Sequence, residues 1–239
     1  MNLAGTTVGA AQGIYSSSSV KQHKLGQIAW TPDGRKFQYC LAGETLVAGH
    51  FYQTAIHAST YVHQACPAVA AIGATTISVT TGAAFTANQF ADGYAIVAAG
   101  TGIGQMFLIK SHPAADSGAS CVLTLDESVR VALDTTSKIT TIKNTFDSIV
   151  DWAVTQTGSS AGAAVFPITS GEYGWLQTGG IAACLSDSTA TVAETTGISP
   201  STTTAGTITK AVTTQETIGG SAQVVTVSAE VAAVRLNIN

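Results

Sequence analysis

The residues best able to do chemistry in this 239-residue chain are four possible metal ligands within one short region. They are His50, His57, His63 and Cys66. Imidazole nitrogen and thiolate sulfur are good zinc ligands, and four of them would satisfy a tetrahedral site. Their spacing of 7, 6 and 3 residues, however, does not match the short ligand pairs of zinc sites. We therefore favour surface or interface histidines and predict neither a metal site nor a cofactor, with a zinc enzyme as an alternative.

Other catalytic patterns are equally weak. The run from Gly100 to Gly104 resembles a phosphate loop, but the Lys-Ser/Thr pair is missing and no helical pattern follows, so it predicts a glycine-rich turn. No G-x-S-x-G motif occurs. Asp126, Glu127 and Glu172 could act as paired carboxylates of a glycosidase, but a turn and a strand end explain them as well. We expect no catalytic residues and no enzyme.

Tyr173 and Trp175 are two residues apart and would share one face of a strand. Flat aromatic rings can stack on sugars, and such a shelf would suit a receptor- or glycan-binding module. A Tyr-x-Trp pair in a strand more often belongs to a core or an interface. The shelf hypothesis requires that Trp175 be exposed.

Residues 170–186 are predicted to form the central element of the fold. Two short extended runs flank Gly179 and Gly180, and a Gly-Gly pair between such runs is a hairpin signal because glycine reaches positive φ without steric cost. A lone hairpin cannot bury Tyr173 and Trp175. Other strands should therefore pack on it.

The rest of the chain consists of short extended runs separated by turns, with no strong helical period. It predicts a mainly β fold, with a β-sandwich or barrel-like base, a small inserted β-domain and an extended N-terminal arm. The arm would be residues 1–24, ordered only against a neighbour or mobile. The base would be 25–71 and 146–239, and the inserted β-barrel or sandwich 72–145. Its six predicted strands are 75–80, 93–99, 105–110, 121–125, 129–133 and 138–143.

Charged residues make up only 10% of the chain, against roughly 25% in typical soluble domains. Surfaces of Ala, Gly, Ser and Thr suit packing against other copies or partners. The net charge of −4, without a basic block, argues against nucleic-acid binding. The sequence contains no run of 18 apolar residues, so it predicts no membrane span. The first residues lack the pattern of a signal peptide.

The four cysteines, Cys40, Cys66, Cys121 and Cys184, are far apart and form no CxxC pair. In a reducing compartment we expect four small buried hydrophobic residues. One disulfide remains an alternative.

Several segments resemble tailed-bacteriophage head decoration proteins and other virion structural proteins. They are residues 33–43 with 46–49, residues 100–110, residues 174–185 and residues 200–210. The resemblance implies a non-enzymatic protein that binds the outer surface of the coat shell and stabilises it. Its partners would be the major capsid protein and further copies of itself, as a trimer or dimer. It would be made in the bacterial host cytoplasm and lie on the capsid exterior.

Candidate interface residues under this interpretation are Tyr15, His23, Trp30 and Tyr52. The alternative function is a receptor- or glycan-binding module of a phage tail or fibre. The N-terminal arm matches nothing in the phage group.

Overall fold

The computed structural model describes residues 12–187, 192–211, 220–223 and 229–238. Residues 1–11 of the predicted arm lie outside this part. The described residues form sixteen β-strands, one short 3-10 helix and no α-helix. The prediction of a mainly β fold is confirmed.

The strands in chain order are β1 (Ile28–Trp30), β2 (Lys36–Leu41), β3 (Phe51–Gln53), β4 (Gln64–Ala65), β5 (Thr76–Thr80), β6 (Tyr94–Ala99), β7 (Met106–Ser111), β8 (Ser120–Leu125), β9 (Lys138–Ile142), β10 (Val150–Asp151), β11 (Ser160–Ala164), β12 (Tyr173–Leu185), β13 (Ile198–Pro200), β14 (Ile208–Lys210), β15 (Ser221–Ala222) and β16 (Val231–Asn237). The 3-10 helix spans Ser59–Tyr61.

The chain divides into two compact units. The first unit contains the described residues up to Ile56 and from Thr145 onward, and the second unit is His57–Asn144. Residues 57–71, which the sequence grouping assigned to the base, belong to the second unit. The reason is pairing, because β4 bonds to β9 and Ala70 forms a bridge with Leu133.

The first unit is built on an antiparallel sheet in the order β1-β2-β12-β11-β3-β10. Strand β16 joins β12, β15 joins β16, and β13 and β14 form a separate pair. The predicted turn from Thr31 to Gly34 connects β1 and β2: the Gly34 N–H donates to the Thr31 carbonyl over 2.9 Å, and Gly34 has φ +83°. This turn fixes the register that pairs Trp30 with Lys36.

Strand β12 is the longest element, at 13 residues, and it runs straight through the predicted hairpin turn. The hairpin prediction at Gly179 and Gly180 is therefore wrong. The two glycines permit a bulge in the pairing with β2, between Gln177 and Gly179. They also let the backbone of β12 approach the turn before β2 closely. A Cβ on Gly180, which has φ +81°, would lie 3.0 Å from the Arg35 Cα and from the Gly34 carbonyl oxygen. Here glycine signals a bulge instead of a reversal.

Residues 12–24 pack on their own unit, so for them the expectation of order only against a neighbour is wrong. Ile14 is 2% exposed and joins a buried cluster with Phe37, Tyr39 and Trp175. Ser18 forms an antiparallel bridge with Tyr173. One well-placed apolar residue and a few backbone bonds hold this segment.

The second unit is a six-stranded antiparallel sheet in the order β4-β9-β6-β7-β8-β5. Its end strands β4 and β5 contact each other, so the sheet curls into a nearly closed barrel. The core is aliphatic and aromatic, with Phe85, Phe90 and Phe107 among its buried members. Residues 100–104 form the predicted turn between β6 and β7.

The predicted strand at 129–133 is wrong, although the other five runs of the inserted domain do contain strands. Val129 and Leu133 are both buried, whereas Arg130 and Val131 between them are exposed. In a strand, Val131 would share a face with Val129 and Leu133, so its exposure breaks the period of two that a strand face requires. The segment is held by backbone bonds to Gly73, Ala74 and Ala70 instead.

All four cysteines are buried and free, which confirms the prediction of small hydrophobic residues. Burial raises the pKa of the Cys40 thiol and of the Cys184 thiol to about 12. Among the described residues, no helix is both long enough and apolar enough to span a membrane.

Candidate functional site

Two of the four predicted interface residues lie at the surface of the first unit. The Tyr15 side chain is 50% exposed and Trp30 is 46% exposed. The Arg35 guanidinium donates a hydrogen bond of 3.4 Å to the Tyr15 hydroxyl, whereas Trp30 pairs with Lys36. Tyr15 and Trp30 line two different grooves.

Tyr52, which the sequence suggested as an interface residue, is a core residue in the structure. It is 0% exposed because β3 lies between β10 and β11. Its hydroxyl donates to the Val47 carbonyl over 3.1 Å and accepts from the Val47 N–H. Burial raises the pKa of the Tyr52 phenol well above its usual range. The run His-Phe-Tyr-Gln at residues 50–53 could not distinguish a central strand from an edge strand.

His23 is partly buried against two core rings. Its ring lies 5.0 Å from that of Tyr39 and 5.3 Å from that of Trp175, between ring centroids. Burial lowers the pKa of His23 because the charged form loses solvent. His23 therefore supports the aromatic cluster and presents little surface to a partner.

The larger groove of the first unit has a volume of about 520 Å³ and is lined mostly by small and aliphatic side chains. Tyr15 and Arg35 line it, together with two exposed residues that the sequence reasoning did not select, Ile181 and Val231. Ile181 is 48% exposed and Val231 is 57% exposed. The other lining residues are Ala48, Gly49, Ala164, Val165, Gln177, Ala182, Ala183, Ala232 and Ala233.

The signal for this groove is present in the sequence. Ile181, Ala183 and Leu185 alternate with Ala182 and Cys184, and both runs are apolar. The structure buries Ala182 and Cys184, and it exposes Ile181 and Ala183. An apolar residue on both faces of a strand means that one face is either a second core or an uncovered surface. Here none of the described residues buries Ile181 and Ala183 on that face.

A smaller groove of about 390 Å³ adjoins the first. Trp30, Lys36 and Arg235 line it, and Arg235 is the cross-strand partner of Ile181 in the larger groove. With Arg35, three of the ten Lys and Arg residues of the chain border the two grooves. We call this combined region, centred on Tyr15, Trp30, Ile181 and Val231, the apolar surface.

The possible metal ligands are not brought together. His50 belongs to the first unit, and the other three belong to the second. Within the part of the chain that the structure describes, no group of three His, Cys, Asp or Glu side chains could hold a metal ion. The Cys66 thiol instead donates to the Ala68 carbonyl over 3.1 Å, and the His57 ring packs against Tyr61.

His50 does pair with a carboxylate, with 3.4 Å between its Nδ1 and Oδ1 of Asp151. Burial raises the pKa of Asp151, while the adjacent His50 opposes that effect. Gly206 packs directly against the His50–Asp151 pair, since a Cβ at position 206 would lie 2.4 Å from the His50 Nδ1. Among the described residues, no serine, threonine or cysteine bonds to His50. The pair lacks both a nucleophile and room beside its Nδ1.

The aromatic shelf that a glycan-binding module would need is absent at the predicted position. Trp175 is 1% exposed, and its indole N–H donates to the Gln12 carbonyl over 3.2 Å. The Tyr39 ring packs against Trp175 and stacks on Tyr173. Trp175 is thus a core residue, as the sequence favoured, and the alternative of a sugar-binding shelf at this position is wrong.

A scan against protein-family models finds no matching family, and searches of curated proteins and of solved structures find no match either. The resemblance to phage head decoration proteins therefore depends on the quoted segments alone and stays a prediction.

Proposed function

We propose that this chain is a non-enzymatic decoration protein of a tailed-bacteriophage head, which binds the outside of the coat shell and stabilises it. The observation that carries the proposal is the apolar surface, where four large apolar side chains are about half exposed on one unit. Only 10% of the residues are charged, so there is little surface charge to keep this apolar surface from associating with other proteins.

The partner would be the major capsid protein, contacted by several copies of this chain arranged as a trimer or dimer. Burial of apolar area contributes about 25 cal/mol per Å² before the costs of association. A contact of modest area then stabilises the shell because it is repeated at every equivalent position. After synthesis in the host cytoplasm, the protein would lie on the capsid exterior.

Charge at the rim gives the proposed contact a measurable property. Arg35, Lys36 and Arg235 border the grooves, so acidic groups on the coat would strengthen binding. Exposed ion pairs are screened by salt, whereas apolar contacts are not weakened by it. Binding to the shell should weaken modestly with salt and should persist at high ionic strength.

The closed His50–Asp151 pair supports a non-enzymatic role, since it packs under Gly206 and contacts no nucleophile among the described residues. The receptor- or glycan-binding alternative has no supporting observation, because its proposed residue Trp175 is in the core.

The test is titration of the purified protein onto undecorated coat shells, with bound copies measured by co-sedimentation and shell strength by thermal disruption. Wild-type protein should saturate the shells and raise their disruption temperature. The double variant Tyr15→Ser, Ile181→Ser should bind at least about tenfold more weakly. Met106→Ser, an exposed position of the second unit, is the matched control and should bind normally. Wild-type protein that shows no saturable binding would overturn the proposal.

A further inference from the structure

The larger groove contains an open stretch of strand edge in addition to its apolar lining. In the pairing of β12 with β16, the Ile238 N–H donates to the Thr178 carbonyl and the Ser186 N–H donates to the Glu230 carbonyl. Antiparallel pairing alternates, so the even-numbered residues of β12 between 178 and 186 direct their backbone groups at β16. The odd-numbered residues, including Ala183, direct theirs away from β16.

The neighbours of Ala183 on that open side are already satisfied. The Leu185 N–H donates to the Gly49 carbonyl over 2.7 Å, and the Ile181 carbonyl accepts from the Gln177 side-chain amide over 2.8 Å. Among the described residues, Ala183 pairs in the strand ladders only with Ala233 of β16, and its N–H and carbonyl take part in no backbone bond outside the ladders. Gln177, Gly49 and Ala183 all line the groove. The groove thus offers one unpaired backbone donor and acceptor between two satisfied positions, and an extended segment seated there would gain backbone hydrogen bonds at Ala183.

The lining selects a particular kind of strand. Seven of the thirteen lining residues are alanine or glycine, so an incoming backbone can approach closely. Ile181, Val231 and Val165 leave places for a few aliphatic side chains. A basic segment would lose solvation in such a groove without an ionic partner, because the charged residue that lines it is Arg35.

The first eleven residues, Met-Asn-Leu-Ala-Gly-Thr-Thr-Val-Gly-Ala-Ala, have the matching chemistry. They carry no charged side chain, and apart from Met1 their large apolar residues are Leu3 and Val8. Eleven extended residues span at most about 36–40 Å. That length is enough to reach a groove on another molecule.

The point at which this segment joins the described chain favours a second copy over the same molecule. Gln12 is tied to the other end of β12, where its side-chain amide donates to the Tyr173 carbonyl over 2.8 Å and its own carbonyl accepts from the Trp175 indole. Gln12 thus lies beside residue 173, which is ten residues, or roughly 33 Å of strand, from Ala183. Residues 1–11 of the same molecule span at most about 36–40 Å, so nearly their whole length would be needed to reach Ala183 and little would remain to lie along the groove.

We propose that the larger groove binds residues 1–11 of a second copy of this chain as an added strand that bonds to the Ala183 backbone. The inference concerns self-association and does not depend on binding to a coat shell.

The experiment compares the full chain with a variant that lacks residues 1–11, by analytical ultracentrifugation over a range of concentrations without any shells. The full chain should associate, and the truncated chain should be monomeric. A synthetic peptide of residues 1–11 should bind the truncated chain. Ile181→Lys in the truncated chain should weaken binding of that peptide at least about tenfold, because an ammonium group would be buried near Arg35 and Arg235 without an anionic partner in the groove lining. Val122→Lys, at a 46% exposed position of the second unit, should leave peptide binding unchanged.

A mixing experiment distinguishes exchange between copies from insertion within one copy. The truncated chain supplies an intact groove, and a full-length Ile181→Lys chain supplies an intact segment. Neither should associate alone, and together they should form a complex. A truncated chain that associates like the full chain would overturn the proposal. So would a monomeric full chain whose segment blocks the added peptide, since that result means insertion within one molecule. A failure to bind coat shells would leave these measurements unaffected.

Discussion

The Tyr39 hydroxyl donates a hydrogen bond of 2.7 Å to the Oε1 atom of Gln12 and so ties the first described residues to the centre of β2. The same hydroxyl accepts from the Gln22 N–H over 3.1 Å. Both partners flank the segment that carries Tyr15, and Gln12 itself is 4% exposed. One phenol therefore holds both ends of the segment from 12 to 22.

Tyr39→Phe should lower the free energy of unfolding of the first unit by about 1–3 kcal/mol, because a buried amide oxygen loses its donor. Trp30, Trp152 and Trp175 are all the tryptophans of the chain and all lie in the first unit, so tryptophan fluorescence during urea unfolding reports on that unit. Tyr94→Phe in the second unit is the control and should leave this transition unchanged. An unaltered transition in Tyr39→Phe would show that solvent replaces both bonds.

Gly180→Ala should destabilise the first unit more than Gly171→Ala does. Both glycines have φ near +80°, so both variants carry the cost of a left-handed backbone for alanine. Only at position 180 would the new Cβ meet backbone atoms, at 3.0 Å from Arg35 and Gly34, whereas position 171 has open space. The extra loss should be about 1–3 kcal/mol in urea unfolding followed by tryptophan fluorescence. Equal losses would mean that β12 shifts freely at its bulge.

His112 makes the stability of the second unit depend on pH. The Phe90 N–H donates to its Nε2 over 3.0 Å, so the Nδ1 carries the proton and donates to the Pro113 carbonyl over 2.8 Å. Burial lowers the pKa of His112, so the unfolded chain binds the proton more readily than the folded chain. Stability is then complete above the unfolded pKa of about 6.5 and falls as the pH drops below it.

Hydrogen exchange of peptides from residues 57–144 should therefore show less protection at pH 5 than at pH 7.5, after correction for intrinsic rates. His112→Gln should reduce that difference, although it also removes core packing. His57→Gln alters an exposed residue and should preserve the difference. A pH dependence that survives in His112→Gln at full size would assign the effect to another group.

The buried thiols should resist modification in the native protein. Burial raises the pKa of each cysteine, and for Cys40 and Cys184 it reaches about 12, so very little reactive thiolate forms at pH 8. A thiol reagent should label no cysteine in the folded chain and four after denaturation without reductant. Labelling of only two after denaturation would reveal a disulfide.

The sequence predicted short elements well where a turn had its own mechanism. Pro32 and Gly34 located the β1–β2 turn, and the glycines from 100 to 104 located the β6–β7 turn, because positive φ is a local requirement. The prediction from the sequence failed at Gly179 and Gly180, where the positive φ of Gly180 belongs to a bulged strand and not to a turn. The difference depends on β2 and β16, which pair with β12 from distant parts of the chain.

The candidate site shows the same limit. Exposure of Tyr15 and burial of Tyr52 depend on which strands become neighbours, and neither residue carries that information locally. Ile181 and Val231 were missed because an apolar residue in an alternating strand is ordinarily assigned to the core. Their exposure becomes visible only when Ala182 and Ala232, on the opposite face, are found buried.

The thirteen residues of β12 bind partners from both ends of the chain, with β2 on its first half and β16 on its second. On the ribosome, residues 57–144 have all their pairing strands once β9 has emerged. The first unit must wait until β16 has been translated, because the second half of β12 lacks its neighbour before then. Synthesis thus imposes an order of folding. The barrel of the second unit can be complete while the sheet of the first unit, whose strands precede and follow it in the chain, still lacks β16.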